Sequence, residues 1–403
     1  MKANRVPKQS LRTWVEIDTK ALKNNYREFR RLVGPTRLVS AGRATKSADS
    51  PVDGPKCLLM SVVKSNAYGH SLVDFSRAVE HLGVDWLGVD SVVEANSLRK
   101  AGLKKPILVL GYTLQARVEN AIKNNISLTV ADFAGLQNLK TIKKGAGKLK
   151  IHLKIDTGMH RQGFFVSEIP AVIAMLKSGK LPVELEGVYT HFSSGKNPTF
   201  PRATQDQIAE FKKAVGLFEA AGLKIPLKHA AATSGTILFP QSHFDLVRVG
   251  IGLQGLWPSK EVRDAFRTKV NLVPVLTWKT IVGQIKQLPK GARIGYDLTE
   301  GLNRDSKVAV LPIGYWHGYP RLLSSTGTVL INGHEAKVLG RVSMDMTSVD
   351  VTDVKNVKVG DEVILIGKSG KREVSADDIA RICGTINYEI VTRLNPLMKR
   401  ILI

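Results

Sequence analysis

Cysteine is nearly absent from this chain of 403 residues, with only Cys57 and Cys383, far apart in sequence. That excludes a disulfide framework and any cysteine-based metal motif, and it suits reduced thiols. Aromatic residues make up 6% of the chain, and no apolar run approaches the roughly 20 residues a membrane span needs. No signal-like apolar stretch follows Met1-Lys2-Ala3-Asn4-Arg5, so the expected location is cytoplasmic, with no membrane partner. Acidic residues are also scarce: 35 Asp and Glu face 59 Lys and Arg, a formal charge of +24. Such an excess invites a nucleic-acid reading. The basic residues are scattered, however, and no nucleic-acid motif accompanies them, so no specific nucleic-acid partner is expected.

Present instead is a long alternation of short apolar runs and helical stretches. The runs fall at 58–64, 86–90, 106–111, 127–131, 149–156, 185–192, 228–233 and 246–250. Eight such units imply a (β/α)8 barrel, expected over residues 12–270. Ahead of it, 12–18 reads as a strand available to a second domain, and Asp18 caps a helix over 20–32. Residues 34–56, rich in Gly, Pro, Ser and Ala, read as a flexible insertion. After about Asn271 strand-like runs are separated by turn dipeptides such as Asn332-Gly333, which predicts a C-terminal antiparallel β-domain over 271–403. One short helix is expected there, near 375–383.

The first run ends in Val62-Val63-Lys64-Ser65-Asn66-Ala67-Tyr68-Gly69-His70. A lysine at the C-terminal end of a barrel strand lies where such folds carry their chemistry, and its amine is useful for a Schiff base once its charge is suppressed. This stretch resembles the cofactor-lysine motif of alanine racemases. The resemblance runs from Arg12-Thr13-Trp14-Val15-Glu16-Ile17-Asp18 to Asn387-Tyr388-Glu389 and Thr392-Arg393-Leu394, nearly the whole chain. It implies pyridoxal 5'-phosphate bound to Lys64, no metal, an amino-acid substrate, and interconversion of L- and D-alanine to supply D-alanine for peptidoglycan.

The same resemblance assigns further residues. Lys154-Ile155-Asp156-Thr157-Gly158-Met159 followed by Arg161 matches the stretch in which the lysine is carbamylated (N6-carboxylysine) and holds the arginine near the substrate. His191 packs near the cofactor ring. Thr233, the amides of Gly250 and Ile251, Tyr68 and Tyr388 make the phosphate site. Ala232 stands where the family often has asparagine. Arg248 meets the ring nitrogen, and because arginine only donates, that nitrogen stays unprotonated and the electron sink shallow. Tyr296, in Ile294-Gly295-Tyr296-Asp297, is the second base opposite Lys64. Met344 contributes to the substrate-carboxylate loop, and Tyr315 guards access, although Trp316-His317 replaces the usual residues beside it. The family is a homodimer whose β-domain completes the partner's site. Other readings on this scaffold are a racemase of serine or of several amino acids, a decarboxylase, and a non-catalytic cofactor carrier. Arg248 speaks against the decarboxylase, and the β-domain with Tyr296 against the carrier.

Overall fold

The computed structural model describes residues 11–34, 57–143 and 147–403. The insertion expected over 34–56 lies, apart from Gly34, outside the described residues. The chain separates into two compact units. One contains the stretch ending at Lys20, Asn66–Ser71 and Pro274–Ile403; the other contains the rest.

The first strand, β1 (Thr13–Ile17), belongs to the β-rich unit and not to the barrel. Helix Thr19–Val33 follows, its Lys20 N–H held by the Asp18 carboxylate at 2.8 Å. Eight parallel strands then build the barrel: β2 (Leu58–Val62), β3 (Trp86–Val89), β4 (Ile107–Val109), β5 (Ile126–Val130), β6 (Leu149–Lys154), β7 (Val183–Tyr189), β8 (Leu227–His229) and β9 (Leu246–Val249). Each falls on one of the eight expected runs, although β5, β7 and β8 begin one or two residues ahead of it. Neighbours pair in chain order and β9 returns to β2, while the Ala232–Arg248 bridge and the Arg248 N–H on Ala231 O close the ring between β8 and β9. Strands β2 to β6 and β9 are almost entirely buried, as an all-parallel sheet requires, whereas the first four residues of β7 and the first two of β8 are not.

Helix Thr19–Val33 is fastened by Asn25, which is fully buried. Its amide donates to Leu253 O at 3.2 Å and Val273 O at 2.8 Å, and its oxygen accepts the Val273 N–H at 2.8 Å. One helix residue thereby satisfies three main-chain groups in the segment leaving the barrel.

The second unit is a sheet of β10 (Leu276–Ile281), β11 (Gln284–Leu288), β14 (Ser306–Leu311), β15 (Thr328–Ile331), β16 (His334–Leu339), β17 (Thr347–Asp350), β18 (Glu362–Ser369) and β19 (Arg372–Val374), with a separate two-stranded ribbon of β12 (Arg293–Ile294) and β13 (Glu300–Gly301). β1 pairs antiparallel with β10 and parallel with the last strand, β20 (Lys399–Leu402). The expected antiparallel sheet is observed, with one parallel pair at its edge, where β1 and β20 run in the same direction. Two helices interrupt the unit, at Ala376–Ile382 as expected and at Asn387–Thr392, which the sequence reading missed. Trp14, Trp278 and Tyr319 are its largest fully buried side chains. Cys57 and Cys383 are both free.

Replacing Asn25 by Ala leaves three main-chain groups without their partner, one buried and two partly buried, and is expected to cost about 3 kcal/mol. A urea midpoint within a few tenths of a molar of wild type at equal slope would contradict that role.

Candidate active site

Polar residues collect at the C-terminal ends of the barrel strands. Lys64 follows β2, its Nζ 3.2 Å from Asp90 Oδ1 at the end of β3, and both side chains are partly exposed. Glu94 ties the two strand ends together, accepting the Ser65 N–H at 2.7 Å and the Asp90 N–H at 2.8 Å. Immediately after Lys64 the backbone turns left-handed: φ is +56° at Ser65, +57° at Asn66, +52° at Ala67 and +55° at Tyr68. Residues with a Cβ rarely do this, because Cβ crowds the following carbonyl at roughly 1–2 kcal/mol per residue. Ser65 to Tyr68 thus form one left-handed helical turn.

That turn leads into the β-rich unit, where Gly69 has φ +83° and a Cβ on it would lie 1.9 Å from Val391 O. Only glycine meets both demands. Arg400 Nε donates to Gly69 O at 3.1 Å. Tyr68 sits 6.1 Å from Tyr388, ring to ring, and burial raises both phenols, Tyr68 to about 12. Both are therefore neutral hydroxyl donors at ordinary pH.

In the barrel unit the end of β9 and the segment after β8 form a second group. The N–H groups of Gly250 and Ile251, both buried, have no acceptor among the described residues. The Gly252 N–H reaches the Thr233 hydroxyl at 3.3 Å. Gly252 itself is required by packing, since a Cβ there would lie 2.3 Å from the Phe29 ring. Two free buried amides beside a hydroxyl are a donor set for an anion.

Arg248 is 3% exposed. Its guanidinium donates to Thr190 O at 2.7 Å, Ala230 O at 2.9 Å and His229 Nδ1 at 2.9 Å, with His191 Nδ1 3.3 Å away. Its Nε–H donates to no acceptor among the described residues. Burial lowers its pKa to about 10, which leaves it a cation at neutral pH. His191 is pushed down to about 3, first by burial and then by Arg248, Lys154 and Arg161, so its ring is neutral.

Lys154, at the end of β6, is 5% exposed and its Nζ lies 5.5 Å above the Tyr189 ring. Burial, followed by Arg161 and Arg248, lowers it to about 8. The following loop is folded around Asp156, whose Oδ1 accepts the N–H groups of Gly158, Met159 and His160 at 3.0 Å each. Burial alone would raise that carboxyl, yet the three N–H donors hold it below its ordinary value. Arg161 follows, exposed.

The β-rich unit presents Tyr296 at 67% exposure, directly after Gly295 at φ +76°. The loops bearing Tyr315 and Met344 are joined by main-chain bonds, Tyr315 N–H to Ser343 O at 3.1 Å and Trp316 N–H to Met344 O at 3.0 Å. Gly314 allows this approach, because a Cβ there would fall 2.2 Å from Ser343 O. The exposed side chains of Tyr315, Trp316, Met344 and Met346 form an apolar surface on these loops.

Sequence reasoning assigned nothing to Asp90, Glu94, His152 or Glu186. Asp90 ends the second barrel strand just as Lys64 ends the first, and that equivalence was the available signal. Within the barrel unit the chemistry present suits pyridoxal phosphate: the free amides of Gly250 and Ile251 with the Thr233 hydroxyl can donate to a phosphate, Arg248 can only donate, and Lys64 ends a strand with an amine.

Comparison with known proteins gives a consistent result. The family profile described as alanine racemase, N-terminal domain, matches residues 45–258, and that for the C-terminal domain matches 275–402. Alanine racemase of Methanococcus maripaludis is 38% identical over 96% of this chain and 98% of its own length. That of Clostridium perfringens is 39% identical over 96% of this chain and 94% of its own. Among solved structures, alanine racemase of Clostridium difficile 630 has a TM-score of 0.87 at 32% identity, covering 98% of this chain and 96% of its own. The Bacillus anthracis enzyme with bound L-Ala-P has a TM-score of 0.86 at 32% identity, covering 97% of this chain and 95% of its own.

The buried histidines predict a pH dependence. Burial lowers His70 to about 4 and His191 to about 3, and also depresses His152 and His229. An unfolded histidine titrates near 6.5, so below that pH the unfolded chain binds protons that the folded chain refuses. Stability is complete above about 6.5 and falls on acidification by about 1.4 kcal/mol per pH unit for each histidine. The loss tied to His191 continues until about pH 3. Urea midpoints at pH 7 and 5 should show this fall, with a shallower one in His191→Gln; equal slopes would contradict a neutral His191.

Proposed function

Because this chain belongs to the alanine racemase family, a group of pyridoxal 5'-phosphate-dependent isomerases, we propose that Lys64 and Tyr296 are the two bases that move the α-proton of alanine. The enzyme interconverts L- and D-alanine. When bound, pyridoxal phosphate supplies the conjugated electron acceptor that makes the α-proton removable. Lys64 Nζ exchanges a proton with one face of the α-carbon and Tyr296 Oη with the other, so that removal by one and return by the other inverts the centre. Tyr68, Tyr388, Thr233 and the amides of Gly250 and Ile251 hold the phosphate. Arg161, Met344 and Tyr315 orient the substrate, and His191 lies against the ring.

The observation that carries this reading is Arg248. A decarboxylating or transaminating site gains from a ring nitrogen that is protonated; a buried cation with no proton acceptor keeps it bare. Electron density then remains near the α-carbon, which favours prompt reprotonation. Lys154 is N6-carboxylated in this scheme. Its depressed pKa makes the neutral amine, the form that adds carbon dioxide, available, and the resulting anion reverses its repulsion with Arg161 and Arg248.

The barrel domain, 12–270, and the β-domain, 271–403, form a homodimer in which Tyr296, Tyr315 and Met344 of one chain serve Lys64 of the other. Supporting this is the exposure of those aromatic and methionine side chains, an unusual apolar surface for a free domain. The product D-alanine serves peptidoglycan synthesis in the cytoplasm. Among the described residues no helix is long and apolar enough to cross a membrane.

Subunit mixing tests the two-base assignment and the shared site together. Lys64→Ala and Tyr296→Phe homodimers each lack one base at every site and should be nearly inactive toward either alanine enantiomer. In the mixed dimer one site regains both bases. Random exchange makes half the dimers mixed, so activity should recover to roughly a quarter of wild type. Heterodimer shown to be present but inactive would contradict the arrangement.

A further inference from the structure

Beneath Arg248 the barrel interior contains a run of polar groups that racemisation does not itself use. His229, whose Nδ1 accepts from Arg248, has its Nε2 2.9 Å from His152 Nδ1. His152 Nε2 is in turn 3.2 Å from Glu186 Oε2. The same carboxylate accepts the Ser127 hydroxyl, and Lys150 Nζ lies 3.7 Å from its other oxygen. Both imidazoles have no exposed surface, and the Glu186 side chain is 15% exposed.

The proton order along this run follows from its two ends. A guanidinium only donates, so Nδ1 of His229 carries no proton and its single proton is on Nε2. That proton points at His152 Nδ1, which must be bare, leaving the His152 proton on Nε2 facing Glu186. A carboxylate only accepts, and the chain closes without a clash. Protonating either ring a second time would set two N–H donors face to face. Burial opposes that charge at both histidines, while the hydrogen bonds from His152 and Ser127 hold Glu186 below the usual carboxylate range against its own burial.

The backbone is shaped to allow this contact. Between β6 and β7 the register slips, Ile151 opposing Leu185 and His152 opposing Gly187, so Glu186 is the extra residue of a bulge. Bulges re-aim side chains. Next to it a Cβ on Gly187 would lie 2.5 Å from His152 Nδ1, so glycine makes room for the ring. Tyr189 stacks on His229 at 4.8 Å and Trp86 meets His152 edge-on at 5.5 Å, which fixes both ring planes.

We propose that Glu186 is a positioning residue for Arg248, acting through His152 and His229 to fix the guanidinium as a donor and to supply its buried countercharge. The consequence for the ring nitrogen rests on the functional reading above; the proton order does not.

The test uses the full chain with imidazole-15N histidine, first without cofactor. Long-range 1H–15N spectra should show two histidines that remain neutral, with the proton on Nε2, from about pH 8 to about pH 5. They are identified as the pair whose signals move in Glu186→Gln. In that variant the retention of pyridoxal phosphate should weaken roughly tenfold and kcat fall by a similar factor, with KM for alanine little changed, and Glu186→Asp should restore most of the loss. A proton on Nδ1 of either ring, or an imidazolium near neutral pH, overturns the relay. Unaltered cofactor retention and kcat in Glu186→Gln overturn the positioning role. If Glu186→Gln does not fold, the wild-type spectrum with Glu186→Asp decides the matter. An inactive wild-type protein with the stated tautomers would count against the functional reading alone.

Discussion

A guanidinium buried in the middle of a barrel must be surrounded by acceptors, and much of this interior is arranged to meet that demand. Burying a charge without partners costs several kcal/mol. Arg248 finds its partners where the sheet is least regular: Thr190 just beyond β7, and Ala230 and His229 at the end of β8, a strand of only three residues. Those carbonyls are available because the ladder stops early. The bulge at Glu186 and the missing side chain at Gly187 extend the same accommodation further into the barrel. Packing irregularities that look independent are thus consequences of one cation.

After Lys64 the constraint is backbone strain. The left-handed turn from Ser65 to Tyr68 places four residues where L side chains are disfavoured. Glu94 offsets this by bridging two strand ends, and Gly69 by allowing Val391 to approach. The turn takes the chain from the lysine at the barrel end to the tyrosine that pairs with Tyr388 in four residues. A right-handed turn would send Tyr68 in another direction.

The barrel strands were legible because most are short apolar runs recurring between helical stretches, and the resemblance singled out Lys64, Arg248 and Tyr296 by motif. Other features left no local trace. The parallel pairing of β1 with β20 joins the two ends of the chain, a contact set by tertiary structure. Helix Asn387–Thr392 is rich in β-branched residues and is fixed by its packing beside Ala376–Ile382, so its sequence resembles the strands around it. Strands β10 and β11 are separated only at Val282-Gly283, where the Gly283 N–H turns to Val310 O. Glu186 was invisible for a different reason: a bulge has no sequence signature, and an alternating strand would point that carboxylate elsewhere.

The central claim is that Arg248, held as a pure donor, keeps the cofactor's ring nitrogen unprotonated. The most direct measurement is the 15N spectrum of the full chain loaded with pyridoxal phosphate labelled at that nitrogen. An unprotonated nitrogen accepting a hydrogen bond, unchanged from about pH 6 to about pH 9, is the predicted result. A pyridinium N–H near neutral pH would contradict the account.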